Sequence, residues 1–199
     1  MRSLSFSTKR GSEIETVFDD LAALRIAVFR DYPYLYEGTI AYEKEYLKTY
    51  AQSERSFLFA VYEGPQMVGA TTCIPLRDET ADVRQPFETA GFETDAVFYF
   101  GESILLPAFR GQGLGHRFFD EREAHARSFG TYKTACFCSV ERDENHPAKP
   151  PGYRPNDEFW TKRGYHKEPS LRSYMEWPDP GETVSTPKPM VYWVRSLQP

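Results

Sequence analysis

The stretch Arg110-Gly111-Gln112-Gly113-Leu114-Gly115 carries three glycines that alternate within five residues. Residues 96–106 before it are strongly apolar and predict a β-strand, and the residues after Gly113 place apolar side chains on one side of a predicted helix. Glycines let the backbone of such a turn approach a ligand closely, and the free N–H groups that open a helix attract anions. The stretch therefore predicts a strand, turn and helix that together bind a phosphate group.

Two common nucleotide motifs fail at the residues that follow Gly115. A P-loop needs a lysine and then a serine or threonine after its last glycine, but His116 and Arg117 stand there. A dinucleotide fingerprint needs a glycine three residues after Gly113, and that position is again His116. The remaining alternative is that the glycines only form a tight connection, which rarely requires so many of them.

Size and charge limit the class of protein. The chain has 199 residues, enough for one domain, and a net charge of −5 from 24 basic and 29 acidic residues. No cluster of Lys and Arg is present to follow a phosphate backbone, so we expect no nucleic acid partner. No apolar run is long enough to span a bilayer, which predicts a cytoplasmic protein with no membrane partner. We expect one domain over residues 1–199, and the sequence leaves open whether it forms a homodimer.

Hydrophobic periodicity and turn residues divide the chain into short elements. Strands are predicted at residues 3–7, 57–62, 67–74, 96–106, 132–140, 171–177 and 190–194. Helices are predicted from Gly11-Ser12 to about residue 30, at residues 40–50, in a short piece at 86–90, from Gly113 onward, and at residues 156–162. The second and third strands flank the turn Glu63-Gly64-Pro65-Gln66, so they should pair antiparallel.

The spacing of the cysteines and histidines does not favour a metal site or a disulfide framework. Cys136 and Cys138 are separated by one residue, which suits thiols on a strand better than a disulfide framework. His146 lies nearby, but structural zinc normally needs four ligands with wider spacing, so we expect no metal. His125 is predicted to be a packed helix residue.

The glycine stretch also matches the pattern Arg/Gln-x-x-Gly-x-Gly/Ala, with Arg110, Gly113 and Gly115 at the fixed positions. About fifty residues later, Phe159-Trp160-Thr161-Lys162-Arg163-Gly164-Tyr165 has the form aromatic-x-x-x-Gly-aromatic. With these motifs and its order of elements, the chain resembles the GCN5-related N-acetyltransferase (GNAT) superfamily over nearly its whole length. The resemblance implies an α/β (α+β) fold, with a central mixed, mostly antiparallel sheet of about seven strands and helices on both faces.

The resemblance also implies a co-substrate, acetyl-CoA or another acyl-CoA, and a set of residues that bind it. The backbone N–H groups from Gln112 to His116 would bind the pyrophosphate, and the Leu105-Leu106 region would pair with the pantetheine amides. Asn156 is a further candidate for contact with the pantetheine arm, although it also suits a helix N-cap. The implied cofactor-binding set is therefore Leu105, Leu106, Arg110, Gly111, Gln112, Gly113, Leu114, Gly115, His116 and Asn156.

In this family the acceptor amine attacks the thioester directly, which requires a base for the amine and an acid for the leaving thiolate. Glu102 is the expected base, because it is a lone carboxylate in an apolar strand and burial would raise its pKa. The alternative is a structural glutamate paired with an arginine. Many family members carry the acid, a tyrosine, where this chain has Trp160, which cannot donate a proton in this way. Tyr165 is the candidate acid here, and Tyr153 or water is the alternative.

The resemblance assigns the acceptor pocket to the first two helices, their connection at residues 31–38, and the segment 77–95. The latter segment holds six acidic residues against two basic ones, which would favour a small cationic amine over an anionic one. An ordinary solvated loop is the alternative explanation. Because Trp160 departs from the family pattern, a non-catalytic acyl-CoA-binding module stays open as a second function.

Overall fold

The computed structural model describes residues 3–198 of the chain. Within them the strands are β1 (Leu4–Arg10), β2 (Phe57–Glu63), β3 (Gln66–Pro75), β4 (Val97–Leu105), β5 (Thr134–Val140), β6 (His166–Trp177) and β7 (Thr186–Ser196). The α-helices are α1 (Phe18–Phe29), α2 (Ile40–Gln52), α3 (Ala81–Thr89), α4 (Leu114–Ser128) and α5 (Asp157–Lys162). Single-turn and short 3-10 segments at Gly11–Val17, Leu76–Asp78, Thr94–Ala96 and Pro107–Phe109 complete the regular structure.

The strands form one mixed sheet in the order β1-β2-β3-β4-β5-β7-β6. Every neighbouring pair is antiparallel except β4 and β5, which are parallel and are joined through α4. The hairpin of β2 and β3 pairs antiparallel across the predicted turn, from Glu63 opposite Gln66 to Phe57 opposite Cys73. The predicted seven-stranded, mostly antiparallel sheet is confirmed.

Both faces of this sheet are covered, because successive strand residues point to opposite sides and both sets are apolar. One face packs against α1, α2 and α3, with Leu21, Leu47 and Phe87 fully buried there. The other face packs against α4 and α5, mainly through Phe118, Phe119 and the partly buried Phe159. Each buried side chain of this size contributes about 1.5–3 kcal/mol to folding. The glycine stretch therefore opens a helix on one face, whereas the predicted acceptor segments lie with the helices of the other.

Among the elements whose bounds differ from the sequence prediction, two show why. The short helix placed at residues 86–90 begins earlier, at Ala81, and contains Pro86 inside it. Its side chains Val83 and Phe87 lie one turn apart and are both buried, so their burial outweighs the hydrogen bond that proline cannot make. Strand β6 begins at His166 rather than residue 171, and most of its early residues are exposed. It is an edge strand, so no alternation of apolar residues marks its start.

His125 is packed in the core between α4 and the sheet, as predicted. Its ring stacks on Phe57 with centroids 4.7 Å apart, and its Nε2 lies 2.9 Å from the carbonyl oxygen of Arg55. Burial lowers the pKa of this imidazole from its ordinary value. A neutral ring that bonds a carbonyl fits a structural role.

Candidate active site

A fork between β4 and β5 is the first feature of the site. These two strands pair only from Val97 opposite Thr134 to Tyr99 opposite Cys136. Beyond that point β4 continues to Leu105 and β5 to Val140 without pairing to each other. Parallel strands that part in this way leave backbone groups of β4 facing the gap, where an extended ligand can pair with them.

The backbone of Leu105 faces this fork. The N–H of Leu106 donates to the carbonyl of Val68 on β3, at 2.9 Å. Since successive strand residues direct their peptide groups to opposite edges, the groups of Leu105 point away from β3. The Leu105 carbonyl accepts a hydrogen bond from Arg110 Nε at 3.1 Å. Of the two leucines predicted to pair with an extended ligand, Leu105 is thus the one whose peptide groups are turned toward the gap.

The glycine stretch forms an exposed turn at the wide end of the fork. Gly111 and Gly113 have φ angles of +75° and +81°, a left-handed conformation that side chains disfavour by about 1–2 kcal/mol. A Cβ added to either glycine would meet no described atom within 4 Å, so the space above the turn is open. Gln112 anchors the turn through a side-chain bond of 3.4 Å to the carbonyl of Ala108. The conformation and the open space both fit a turn that receives a bulky anion.

Helix α4 begins directly at this turn, with Gly113 as its N-cap. The first N–H groups of a helix have no partner within it and lie at the positive end of its dipole. Those of Leu114, Gly115 and His116 are in this position, so they are suited to bind phosphate oxygens. The predicted set Gly111 to His116 is therefore brought together in one turn whose geometry suits an anion.

Helix α5 packs beside the start of α4 and explains the second aromatic motif. The Phe159 ring lies against Gly115 and meets His116 edge-on, with ring centroids 4.9 Å apart. Arg163 reaches back to Asp120 of α4 at 2.7 Å. Asn156 stands at the N-cap position of α5, but its side chain makes no capping hydrogen bond. The exposed Asn156 amide thus lacks the role that the helix-cap alternative gave it.

Glu102 lies on the other side of the fork, facing α1 and α2. A β-bulge in β4 places Gly101 and Glu102 together opposite Thr72, between the pairs Thr71 with Ser103 and Cys73 with Phe100. The Glu102 side chain is buried, and its Oε2 lies 2.7 Å from Arg25 Nη1. Its Oε1 is also buried and has no hydrogen-bond partner among residues 3–198. One oxygen is therefore fixed by a cation, while the other has no partner within the described residues.

Arg25 and Glu43 are functional candidates that sequence reasoning missed. Arg25, on α1, bonds both Glu102 and the fully buried Glu43 of α2, so that one cation serves two carboxylates. Its guanidinium also lies over the Tyr46 ring, 4.6 Å from the centroid. Burial opposes its charge, but Glu102, Tyr46 and Glu43 together raise the pKa of Arg25 above its ordinary value. Glu102 is thus paired with an arginine, as in the alternative of a structural glutamate, and its side chain is buried.

The two tyrosine candidates for the acid, and Trp160 at the position of the usual tyrosine, differ in their surroundings. Tyr165 is buried, and its hydroxyl donates to Glu123 Oε1 at 3.1 Å; burial and the Glu123 charge raise its pKa well above the ordinary value. Trp160 packs between Phe137 and Trp193. Tyr153 is only half-buried and meets Tyr32 edge-on, with centroids 4.7 Å apart. The geometry favours a packing role for Tyr165, whereas Tyr153 contacts the connection between α1 and α2 through Tyr32.

Glu123, the partner of Tyr165, holds a basic cluster on the same face as α5. Its carboxylate is buried and lies within 3.3 Å of Arg127, Arg163 and Arg195. This cluster joins α4, the residue after α5, and β7. It accounts for the position of Tyr165 without reference to a substrate.

The segment 31–38 is held by hydrogen bonds from residues that follow β5 and end β6. Arg142 donates to the carbonyl oxygens of Pro33 and Tyr34 at 2.8 and 2.6 Å, and it forms a two-point pair with Asp179 at 2.8 Å. Trp177 Nε1 donates to the same Tyr34 carbonyl at 3.0 Å. These contacts hold the connection between α1 and α2 in one position beside the site.

The acidic segment 77–95 contributes less charge to the site than its composition predicts. Most of its carboxylates lie at the surface beside cations, including Glu88 with Arg84, Glu93 with Lys133, and Asp95 with Arg77. Glu79 is the exception, because its side chain is buried. The solvated-loop alternative thus describes most of this segment, and Glu79 alone reaches the interior.

Thiols and metal ligands form no separate centre. Cys73 and Cys136 are buried free thiols, and Cys138 Sγ lies 3.1 Å from the hydroxyl of Tyr99. Burial raises the pKa of Cys138 to about 11. In the described part of the chain, His, Cys, Asp and Glu do not gather in groups of three or more that could hold a metal ion.

None of the helices between residues 3 and 198 combines the length and the apolar character needed to cross a bilayer.

Comparison with solved structures places this architecture among acetyltransferases. An N-acetyltransferase from Staphylococcus aureus Mu50 aligns with a TM-score of 0.60 and 12% identity, over 98% of this chain and 99% of that one. The yncA protein of Salmonella typhimurium, solved with its cofactor acetyl-CoA, aligns with a TM-score of 0.57 and 9% identity, over 98% and 94%. The ribosomal-protein-S18-alanine N-acetyltransferase from Escherichia coli gives 0.56 and 12%, over 99% and 96%. At these identities the likeness concerns the fold.

The sequence comparisons give the family. No curated protein sequence matches the chain. The model of the acetyltransferase (GNAT) family matches residues 21–165, which include most of α1 and all of the fork, the glycine turn and α5. The chain therefore belongs to the GNAT acetyltransferase family.

Proposed function

We propose that this protein transfers an acetyl group from acetyl-CoA to the primary amine of a small metabolite, by direct attack of the amine on the thioester. The observation that carries the proposal is the pairing of an open anion-binding turn with a buried carboxylate across the fork. The turn supplies the Gly111 and Gly113 conformations and the first N–H groups of α4. The carboxylate is Glu102, with one oxygen unpartnered within residues 3–198.

Each part of this site has a chemical task under the proposal. The turn from Arg110 to His116 holds the pyrophosphate, and the Leu105 peptide groups pair with the pantetheine arm in the fork. Glu102 Oε1 takes a proton from the attacking nitrogen, while Arg25 keeps the carboxylate oriented through Oε2. As the carbon–nitrogen bond forms, the carbon–sulfur bond breaks and the electron pair leaves on the sulfur. The thiolate is then protonated to give free coenzyme A.

Tyr153 is the side chain that we propose for that last protonation, ahead of Tyr165. Its half-buried ring meets that of Tyr32, in the connection between α1 and α2, whereas the Tyr165 hydroxyl is already engaged with Glu123. Protonation of the thiolate by water is the alternative.

Three finer points belong to the proposal as well. A cationic acceptor is favoured because the buried Glu43 and Glu102 share the single charge of Arg25 among the described residues. A single acetyltransferase domain over residues 1–199 and a cytoplasmic location stay predictions of the sequence.

The test of the proposal is release of free thiol from acetyl-CoA across a panel of small primary amines. We expect release to accelerate with at least one cationic amine, and acetyl-CoA to raise the melting temperature. Ligand at a hundred times its Kd stabilises a protein by about 2.7 kcal/mol. A stabilised protein that releases no thiol with any amine would instead favour the non-catalytic acyl-CoA-binding module. Absence of stabilisation would contradict both functions.

A further inference from the structure

Arg122 is a buried cation that no step described so far uses. It lies on α4, is 1% exposed, and forms no ion pair with a carboxylate among residues 3–198. Its Nε donates to the carbonyl of Phe118 at 3.3 Å, whereas its Nη2 is buried and has no hydrogen-bond partner in the described part of the chain. A charge buried without a counter-charge is costly, which makes a second role worth testing.

The groups around Arg122 do not neutralise its charge. The titratable groups that act on it, from α4, β3, β4 and the residue before β6, are Tyr165, Cys73, Glu123 and Glu102. Burial raises the pKa of the tyrosine and the thiol, so these two stay neutral. Glu123 is already shared by three other arginines, and Glu102 is held by Arg25. Both carboxylates are thus engaged with other cations, and Arg122 keeps an uncompensated positive charge.

The guanidinium of Arg122 lies under the narrow end of the fork. Phe100 and Phe137 are the first residues of β4 and β5 after the last paired ones, and both belong to the core on the α4 face. The guanidinium is 4.5 Å from the centroid of the Phe100 ring and 4.5 Å from that of the Phe119 ring. The Phe119 ring is in turn 5.7 Å from that of Phe137. Arg122 and Phe119 therefore lie under the point where the two strands separate.

Under the proposed function, the sulfur of the pantetheine arm comes to the same end of the fork. The pyrophosphate lies at the glycine turn, at the wide end, and the arm pairs with Leu105. Leu105 is five residues from Phe100 on β4, about 16 Å at the usual rise of a strand. An arm that follows β4 inward from the turn therefore brings its sulfur toward Phe100, and so toward the charge of Arg122.

We propose that the positive charge of Arg122 stabilises the thiolate of coenzyme A as it leaves the thioester. The inference rests on the proposed function. As the carbon–sulfur bond breaks, the electron pair moves to the sulfur and a negative charge develops there. Arg122 stays protonated and gives up no proton, so the proton for the sulfur still comes from Tyr153 or water. A cation in a core without water acts on such a charge across several ångströms, without touching it.

Two neighbours of the narrow end suit this role. Cys73 lies on β3 opposite Phe100, and the charge of Arg122 opposes the rise that burial causes in the pKa of its thiol. Arg122 thus already acts on a sulfur at this position of the sheet, in the direction that favours a thiolate. Trp160, which cannot donate a proton in this way, packs on Phe137 with ring centroids 5.0 Å apart. A stabilised thiolate has less need of an acid at that place.

The affinities of coenzyme A and desulfo-coenzyme A, which lacks the thiol, test the proposal without any turnover. Their ratio cancels the titration of the phosphates that both ligands share. A nearby cation lowers the pKa of the bound thiol, and a thiol whose pKa falls on binding is bound more tightly as pH rises toward its free pKa. We expect the ratio in the wild-type protein to rise about tenfold between about pH 6.5 and pH 9, as one pKa unit requires. Calorimetric titration measures it, and a flat or falling ratio would overturn the proposal.

The variant Arg122→Met separates the charge from packing, because it keeps an unbranched side chain but no cation. The ratio should no longer rise with pH, whereas the melting temperature should not fall, since an unpaired buried charge is replaced by an apolar group. Arg117→Met is the matched control and should keep the wild-type ratio. Arg117 also lies on α4 over two phenylalanine rings, but these belong to β1 and β2, away from the fork. A folded Arg122→Met with the wild-type ratio would overturn the proposal, and if this variant does not fold, the wild-type ratio decides.

Turnover gives a second measure. With an amine substrate, Arg122→Met should lower kcat about ten- to thirtyfold, the size expected of a unit charge several ångströms away, with KM for acetyl-CoA unchanged because the thioester is neutral. An unchanged kcat would also overturn the proposal. If no amine is acetylated, the proposed function fails separately, since the affinity ratio still reports on Arg122. If neither coenzyme A nor desulfo-coenzyme A binds, the inference fails together with the proposed function.

Discussion

Glu102 shows how one side chain can be fixed and still be reactive. Oε2 is held by Arg25, and Oε1 has no partner within the described residues, so the carboxylate can accept a proton without first breaking its ion pair. A positioned base typically contributes about 10²–10⁴-fold to a rate. Under the proposal, the two oxygens of Glu102 thus have different tasks: Oε2 fixes the side chain and Oε1 accepts the proton.

The substitution Glu102→Gln is expected to slow thiol release about a hundredfold, because the amide cannot take the proton from the amine. The protein should still fold, since Arg25 keeps its bond to Glu43. Thiol release at saturating amine measures the effect, and a melting curve with acetyl-CoA checks that binding is retained. The exposed Glu176→Gln on β6 is the control and should behave as wild type. An equal rate in Glu102→Gln would remove this residue from the mechanism.

A residue can be selected from the sequence when its local pattern is unusual, but not when its importance depends on a partner far along the chain. Glu102 could be selected because it is a carboxylate within an apolar strand. Its partner Arg25 lies on α1, far from β4 along the chain, so no local pattern marks the pair. Glu79 was included only as one charge in an acidic segment, although its burial separates it from its neighbours.

At the scale of elements, the glycine turn and α4 form one unit. Gly113 is at once the end of the turn and the N-cap of the helix. Gly130, just beyond the other end of α4, has a similar positive φ of +67°, and an added Cβ would likewise meet no described atom within 4 Å. The two glycines therefore match in backbone strain and in space, but only one lies at the proposed phosphate site.

The variants Gly113→Ala and Gly130→Ala should each lose about 1–2 kcal/mol of unfolding free energy, because alanine disfavours this conformation. Only Gly113→Ala should weaken acetyl-CoA binding as well, since its methyl group projects where the turn faces an anion. Denaturant unfolding gives the first quantity and calorimetric titration gives the second. Equal affinity in the two variants would argue against the turn as the pyrophosphate site.

Periodicity identified most elements correctly because burial and local propensity agree in them. The prediction departs from the structure where burial and local propensity disagree. Helix α3 keeps Pro86 because Val83 and Phe87 are buried. Strand β6 starts in exposed residues that form a strand only because they pair at the edge of the sheet. The fork between β4 and β5 was not predicted from the sequence. Strand separation depends on which partners each strand finds, which periodicity does not report.

At the scale of the whole molecule, the acceptor side depends on contacts that join distant parts of the chain. Residues 31–38 come early in the sequence, yet Arg142, Trp177 and Asp179 fix them from the loops and strands near the end. Acetyl-CoA contacts under the proposal involve β4, α4 and α5 instead. Changes in these tertiary contacts should therefore alter the KM for the acceptor amine without altering the affinity for acetyl-CoA.

Arg142→Gln should raise KM for the acceptor amine several-fold while leaving acetyl-CoA affinity unchanged. The loss of stability should stay below the roughly 3–5 kcal/mol typical of a broken buried pair, because Lys188 still lies 3.2 Å from Asp179. Steady-state kinetics with each substrate varied in turn measures the difference. Arg172→Gln, an exposed arginine whose partner is Glu141, is the control and should change neither constant. If Arg142→Gln weakened both substrates equally, the loop would not act on the acceptor alone, and the two halves of the site would be coupled through the sheet.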